Sequence, residues 1–279
     1  MKRLLPFLLL AALPCSAQSI TRTQCVGAAD ATNNNLTVTT SATSVGQLIV
    51  LFASTAGNSV STFTISDNGS GGSNTYTPVS GFANVDLTGG QHSETDWFGY
   101  TVAAHGGVTT ITAAHNAAGS SDFISVCVYS SSNGWPANPV DQIKAGTYTT
   151  TASSFSSGAT STLSQASEAA IGFMQIASDP STVTPSGGFT QRDLSAFVDS
   201  RRHFLSDQIV SATTALTLSA TTGASVDAAA NVVTFKDNAG GGGGGSTPPA
   251  RIPQAPVQKP ALVQTPGALQ VPRAIQIPK

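Results

Sequence analysis

An all-β fold, a two-sheet antiparallel β-sandwich of jelly-roll type, is what this sequence predicts, on three observations. No segment sustains the i, i+3, i+4 apolar spacing of a helix. Short β-branched and aromatic runs recur instead, separated by Gly, Asn, Ser and Pro clusters. Charged residues are 9% of 279, against about 25% in an ordinary domain. Ser, Thr, Asn and 27 glycines take their place. That composition excludes a strongly basic nucleic-acid binder and a Lys/Glu-rich coiled coil.

In chain order, residues 1–17 read as a secretory signal peptide. Met1-Lys2-Arg3 is positive, residues 4–13 are apolar apart from Pro6, and Cys15-Ser16-Ala17 suits cleavage after Ala17. The apolar run is too short to cross a bilayer, so no transmembrane segment is expected. The alternative is a lipid on Cys15, from whose usual pattern Pro14 departs.

Residues 18–237 form the expected β-sandwich domain. Strands are expected near 35–40 (Leu36, Val38), 47–54 (Leu48 to Phe52), 61–66 (Phe63, Ile65), 75–80, 96–103 (Trp97, Tyr100), 108–113 and 122–130. Others are expected near 169–177, 188–193, 202–210, 214–220 and 230–236. The 47–54 and 122–130 runs are too apolar for a sheet edge and are expected at its centre. After signal removal two cysteines remain, Cys25 and Cys127. In an exported chain they are expected to pair as a disulfide.

An internal repeat is also expected. Leu48-Ile49-Val50-Leu51-Phe52 matches Ala170-Ile171-Gly172-Phe173-Met174, and Phe63 to Asp67 matches Phe189 to Asp193. Thr110-Ile111-Thr112 matches Thr217-Leu218-Ser219. A jelly roll is two Greek keys, so such repetition fits it.

At Asn238 the composition changes. A glycine run at 240–245 forms a flexible hinge. Prolines at 256, 260, 266, 272 and 278 then punctuate a tail read as disordered and Pro-rich. It serves as a spacer or as a docking strip for a partner. Charge follows the same boundary. Residues 18–237 hold six bases and fourteen acids, a net of -8, with no base between Arg22 and Lys144. The tail carries Arg251, Lys259, Arg273 and Lys279 and no acid.

Three groups could carry chemistry. His92, Glu94 and Asp96 alternate, so on a strand they share one face, as cation ligands would. The commoner reading is a solvated loop entering a strand. Asp67, Asn68 and Asn74 lie in a Gly-rich loop whose oxygens suit Ca2+, though a turn that uses Asn and Gly for positive φ is the commoner reading. Trp135, with Trp97 and Tyr100, could stack on a sugar ring or fill the core. No catalytic motif occurs and no resident cofactor beyond Ca2+ is implied.

The strings Val45-Gly46-Gln47-Leu48-Ile49-Val50-Leu51-Phe52, Thr64-Ile65-Ser66-Asp67, Asn74-Thr75-Tyr76-Thr77, the run from Ile124 to Tyr129, Asn138-Pro139-Val140-Asp141 and Gly188-Phe189-Thr190 resemble a class of bacterial exported β-sandwich domains of cell-surface proteins. The resemblance covers about residues 20–237. It implies a fold and a compartment (secreted, cell-surface or periplasmic) but carries over no catalytic residue. The expected function is non-enzymatic: adhesion or ligand binding, with a glycan or a cell-surface protein as partner. The alternatives are an assembly component docking through its tail and, further off, a polysaccharide hydrolase.

Overall fold

The computed structural model of the protein describes residues 19–30, 35–56, 62–81, 94–116, 121–177, 182–196 and 201–238. Residues 1–17, expected to be a signal peptide, His92 and the tail from 239 lie outside the described residues. Among the described residues there is no helix, and the strands run β1 Ile20–Asp30, β2 Asn35–Thr39, β3 Leu48–Ala56, β4 Thr64–Asp67, β5 Thr77–Pro78, β6 Glu94–Val102, β7 Thr110–Ala114 and β8 Ser121–Ser131. They continue as β9 Val140–Ala145, β10 Thr149–Ser156, β11 Glu168–Ala177, β12 Val183–Ser186, β13 Thr190–Leu194, β14 Arg202–Val210 and β15 Ser219–Lys236. Every pairing is antiparallel.

The first eight strands form a sheet β1-β8-β3-β6-β5 and a smaller one β2-β7-β4. That order is a jelly roll. The second half repeats it as β9-β15-β11-β14-β13 with β10-β15-β12. There β15 combines the parts of β7 and β8. Its start pairs with β10 and β12, its end with β9 and β11. Registers agree as well. Val50 stands between Cys127 and Tyr100, as Ile171 stands between Val233 and Asp207. A bulge falls between Arg22 and Gln24 on β1, and another falls at the corresponding place, before Ile143 on β9. The jelly-roll order predicted once is therefore built twice.

The two large sheets bury equivalent residues against each other. Leu48, Val50 and Phe52 share one core with Ala169, Ile171 and Phe173, and the Phe52 and Phe173 rings lie 4.7 Å apart. Burial of each such side chain is worth about 1.5–3 kcal/mol. The opposite face of β3 and β8 packs on β2 and β7 through Ile49, Leu51, Ile124, Val126, Val38 and Ile111. The expected central strands, β3 and β8, are indeed interior neighbours. Cys25 and Cys127 sit directly opposite each other on β1 and β8 and form a disulfide, with Cα atoms 4.1 Å apart.

Three sequence expectations need correction. The strands expected near 214–220 and 230–236 are one, because Ala228, Ala229 and Ala230 keep pairing with Ile176, Gln175 and Met174; alanine's weak β preference hid this. The repeat is real in topology but displaced in register. Leu48 corresponds to Ala169, not Ala170, and a slip of one turns a strand's side chains to the wrong face. The 63–67 block is β4, whose counterpart is β12, whereas 189–193 belongs with β13, the counterpart of β5. The polar strands β1, β9, β10 and β12 had no apolar run to announce them, and Pro185 is tolerated because β12 is an edge strand.

Candidate functional site

The structure disperses the aromatic set read from the sequence. Trp135 is 7% exposed and Tyr100 5%, both inside the core between the large sheets. The Tyr100 ring meets Phe235 edge-on at 5.6 Å, and its hydroxyl donates to Asn138 Oδ1 at 3.2 Å. Trp97 is half-buried in the other core, across β3 and β6. These three therefore build no stacking platform. The loop preferred for His92, Glu94 and Asp96 is also corrected in part: Glu94 and Asp96 lie on β6, paired with Ala56 and Ser54. Asp96 is buried.

The loop of Asp67, Asn68 and Asn74 is held by its own donors. Asp67 Oδ1 accepts from the Gly69 and Asn74 amides at 3.0 and 3.1 Å. Its Oδ2 accepts from Asn74 Nδ2 and the Tyr76 hydroxyl, both at 2.9 Å. Burial, and then the Asp67 charge and hydrogen bond, push the Tyr76 phenol well above its ordinary range. Asn68 Oδ1 accepts the Thr109 and Thr110 amides, and Asn74 Oδ1 the His105 amide, each at 2.9 Å. A cation here would compete with seven protein donors, so the residues fit a structural turn rather than a calcium site. Among the described residues, no three His, Cys, Asp or Glu side chains converge as a metal-ligand group.

Two charged clusters went unnoticed in the sequence. Asp207, 1% exposed, accepts from Arg22 Nη1 at 3.0 and 3.1 Å, from Arg192 Nε, and from the Tyr129 hydroxyl at 3.0 Å. Near the domain's end, Asp141 accepts from Ser164 Oγ at 2.5 Å and Lys236 Nζ at 3.0 Å. Burial raises Asp141, but hydrogen bonds from Ser164, Lys236 and Gln142 outweigh it and hold the group at about 2. Burial pushes the neighbouring Glu168 up to about 7, opposed by Thr234 and reinforced by Asp141. Both clusters bind strands together, and protein donors already occupy the Asp207 and Asp141 carboxylates.

A groove of about 440 Å³ opens between β9 and β10. Gly146 makes it. A Cβ there would stand 2.2 Å from the Ala230 carbonyl oxygen and 2.8 Å from that of Ser156, so only glycine lets the chain turn out of β9 this close to β15. Lys144, Thr147, Thr149, Ser154, Ser156 and Ser157 line it over the buried Phe155. Gly158, at φ +70°, leaves room for the Lys144 stem, since a Cβ there would stand 3.0 Å from Lys144 Cε. Ser156 Oγ accepts the Gly158 amide at 3.1 Å, and Ser157 Oγ donates to the Gly158 carbonyl at 2.7 Å. Thr147 and Ser154 make no side-chain hydrogen bond among the described residues. Between the lining residues Thr149 and Ser154, Thr151 adopts φ 51°. Asp227 holds it there, accepting the Thr151 amide at 2.6 Å and the Tyr148 hydroxyl at 3.2 Å.

The matching corner of the first half is closed. Gln24, one residue past the bulge as Gln142 is in β9, clasps Ser41 with both ends of its amide at 2.8 and 2.9 Å. Gln142 reaches only its neighbour Asp141, at 3.3 Å. The volume lies within the range of ligand clefts. Hydroxyls scattered over Thr147 to Ser157 are unreadable as a site in a Ser/Thr-rich chain. The isolated base Lys144 was the visible signal. No family model, curated protein or solved structure matches this chain. Among the described residues, no helix is long and apolar enough to cross a membrane.

Proposed function

We propose that the protein is a secreted or cell-surface β-sandwich module, non-enzymatic, that serves adhesion by binding a polar, hydroxyl-rich ligand of glycan type. The observation that carries this is the β9–β10 groove, where hydroxyls and backbone oxygens converge over one aromatic floor and a single cation. Hydroxyl and amide groups recognise a sugar by exchanging its bonds to water, while the few precise polar groups fix orientation. The Cys25–Cys127 disulfide supports the oxidising compartment this role needs.

The test is a glycan array probed with the disulfide-intact protein and with Ser154→Trp, which fills the groove from an exposed strand position. The expected result is a restricted set of glycans bound by the wild type and lost in the variant, with an unchanged melting midpoint. An array without hits, or hits that survive Ser154→Trp, would remove the groove as the ligand site.

A further inference from the structure

We infer that the β9–β10 groove takes a saccharide bearing a carboxylate, with Lys144 as its charge partner. This rests on the groove being the ligand site proposed above and adds the ligand's charge.

The argument begins from the six bases of the acidic body. Arg22 and Arg192 share Asp207, and Lys236 holds Asp141. Arg201 is 3% exposed, and Arg202 takes part in interactions of its own. Lys144 differs. Among the described residues no carboxylate lies within ion-pair distance of its ammonium, and it lines an open groove. A body with a net of -8 repels anions over most of its surface. A lysine with no carboxylate partner among the described residues, in a polar cleft, therefore creates a local exception, which discriminates as well as attracts.

Shape narrows the anion. About 440 Å³ exceeds what a phosphate or a free carboxylate needs and accommodates a sugar ring with a substituent. The Thr147 and Ser154 hydroxyls can each donate and accept, as ring hydroxyls require. Lys144 is a compact point charge rather than a planar fork, which suits a single carboxylate on a ring. The strand segment beside the groove is also built at a cost. A β-branched residue at positive φ costs on the order of 1–3 kcal/mol and persists only where its surroundings impose it. Asp227 does so here, and it fixes the turn that carries Thr147 and Thr149.

The experiment is calorimetric titration of the disulfide-intact protein with trigalacturonic acid, the neutral galactose trimer and inorganic phosphate, with amide chemical shifts locating each. Trigalacturonate should bind with shifts at Lys144, Thr147 and Ser154. Lys144→Gln should weaken it about tenfold, the loss of one charge-assisted hydrogen bond. Lys144→Arg should retain binding, and added salt should reproduce part of the loss. Equal binding of the neutral trimer at the groove, unaffected by Lys144→Gln, would overturn the charge inference and leave the glycan reading standing. Phosphate binding as tightly as the trimer would reduce the groove to a simple anion site. Binding of no saccharide, or binding away from these residues, would overturn both readings.

Discussion

The two halves of the molecule share one strand order but solve the same corner in opposite ways. In one corner Asp207 gathers Arg22, Arg192 and Tyr129. Register places Tyr100, Val140 and Phe235 at the positions that Asp207, Arg22 and Tyr129 hold in this corner, while Arg192 is the extra residue of a bulge on β13 and has no counterpart on β5. These three are apolar or aromatic and belong to the central core. The same exchange holds at the staple, where Cys25 and Cys127 correspond to Ile143 and Val233. A fold position therefore dictates that a contact be made and filled, not which chemistry fills it. A buried ion network must satisfy every charge to break even against an apolar core of similar volume.

The staple offers the largest effect. Opening the disulfide, whose cysteines are 102 residues apart, as Cys25→Ala with Cys127→Ala should cost up to about 4–5 kcal/mol by the chain-entropy model. Denaturant midpoints measure it. A loss below about 1 kcal/mol would mean that packing alone, as at Ile143 and Val233, holds this pair of strands.

Next comes the ion corner. Asp207→Ala leaves two guanidinium groups and a buried hydroxyl without their acceptor and should cost about 3–5 kcal/mol. Copying the other corner with Arg22→Val, Tyr129→Phe and Asp207→Tyr, and removing the remaining charge with Arg192→Val, should be neutral or stabilising. If the quadruple variant is as unstable as Asp207→Ala, the corners are not interchangeable and the comparison fails.

What the sequence disclosed follows from what burial selects. The all-β class, the central strands β3 and β8 and the Cys25–Cys127 pair were legible because each rests on residue types with one dominant environment. The duplication was legible only in outline. The pattern Leu48 to Phe52 is apolar on both faces, so nothing local distinguishes Ala169 from Ala170 as its counterpart. Trp135, in a turn-rich loop, carried no sign of which way it would fold, and it packs inward among Ile20, Val79 and Tyr100. The groove was invisible because it depends on a missing clasp, Gln24 closing one corner and Gln142 leaving the other open.

A smaller effect depends on pH and again sets one half against the other. Glu168 occupies the position held in the first half by Gln47, which bonds Ser130 at 2.9 Å. With a folded pKa near 7 and an ordinary value of 4.5, Glu168 binds its proton more tightly folded than unfolded. Its contribution is therefore full below pH 4.5 and is lost as pH rises through 7. Asp141, at about 2, contributes above its ordinary 3.8 and loses that contribution as pH falls through 2. Urea midpoints should thus fall between pH 4.5 and 7, by on the order of 2 kcal/mol in stability. Glu168→Gln should flatten that decline, and an undiminished slope in the variant would assign it to other groups.

The smallest expected change concerns the strand segment beside the groove. Thr151 at φ 51° is opposed by its own branched Cβ. Asparagine tolerates the left-handed region better than threonine. Thr151→Asn and Thr151→Gly should each raise stability by about 1 kcal/mol, glycine offsetting part of its gain through the entropy of its unfolded chain. Neither should tighten saccharide binding, because relief of strain also loosens the turn that Asp227 fixes. A stabilised variant that bound more tightly would show that the strain serves nothing in recognition. A destabilised one would show that the Asp227 bonds require threonine itself.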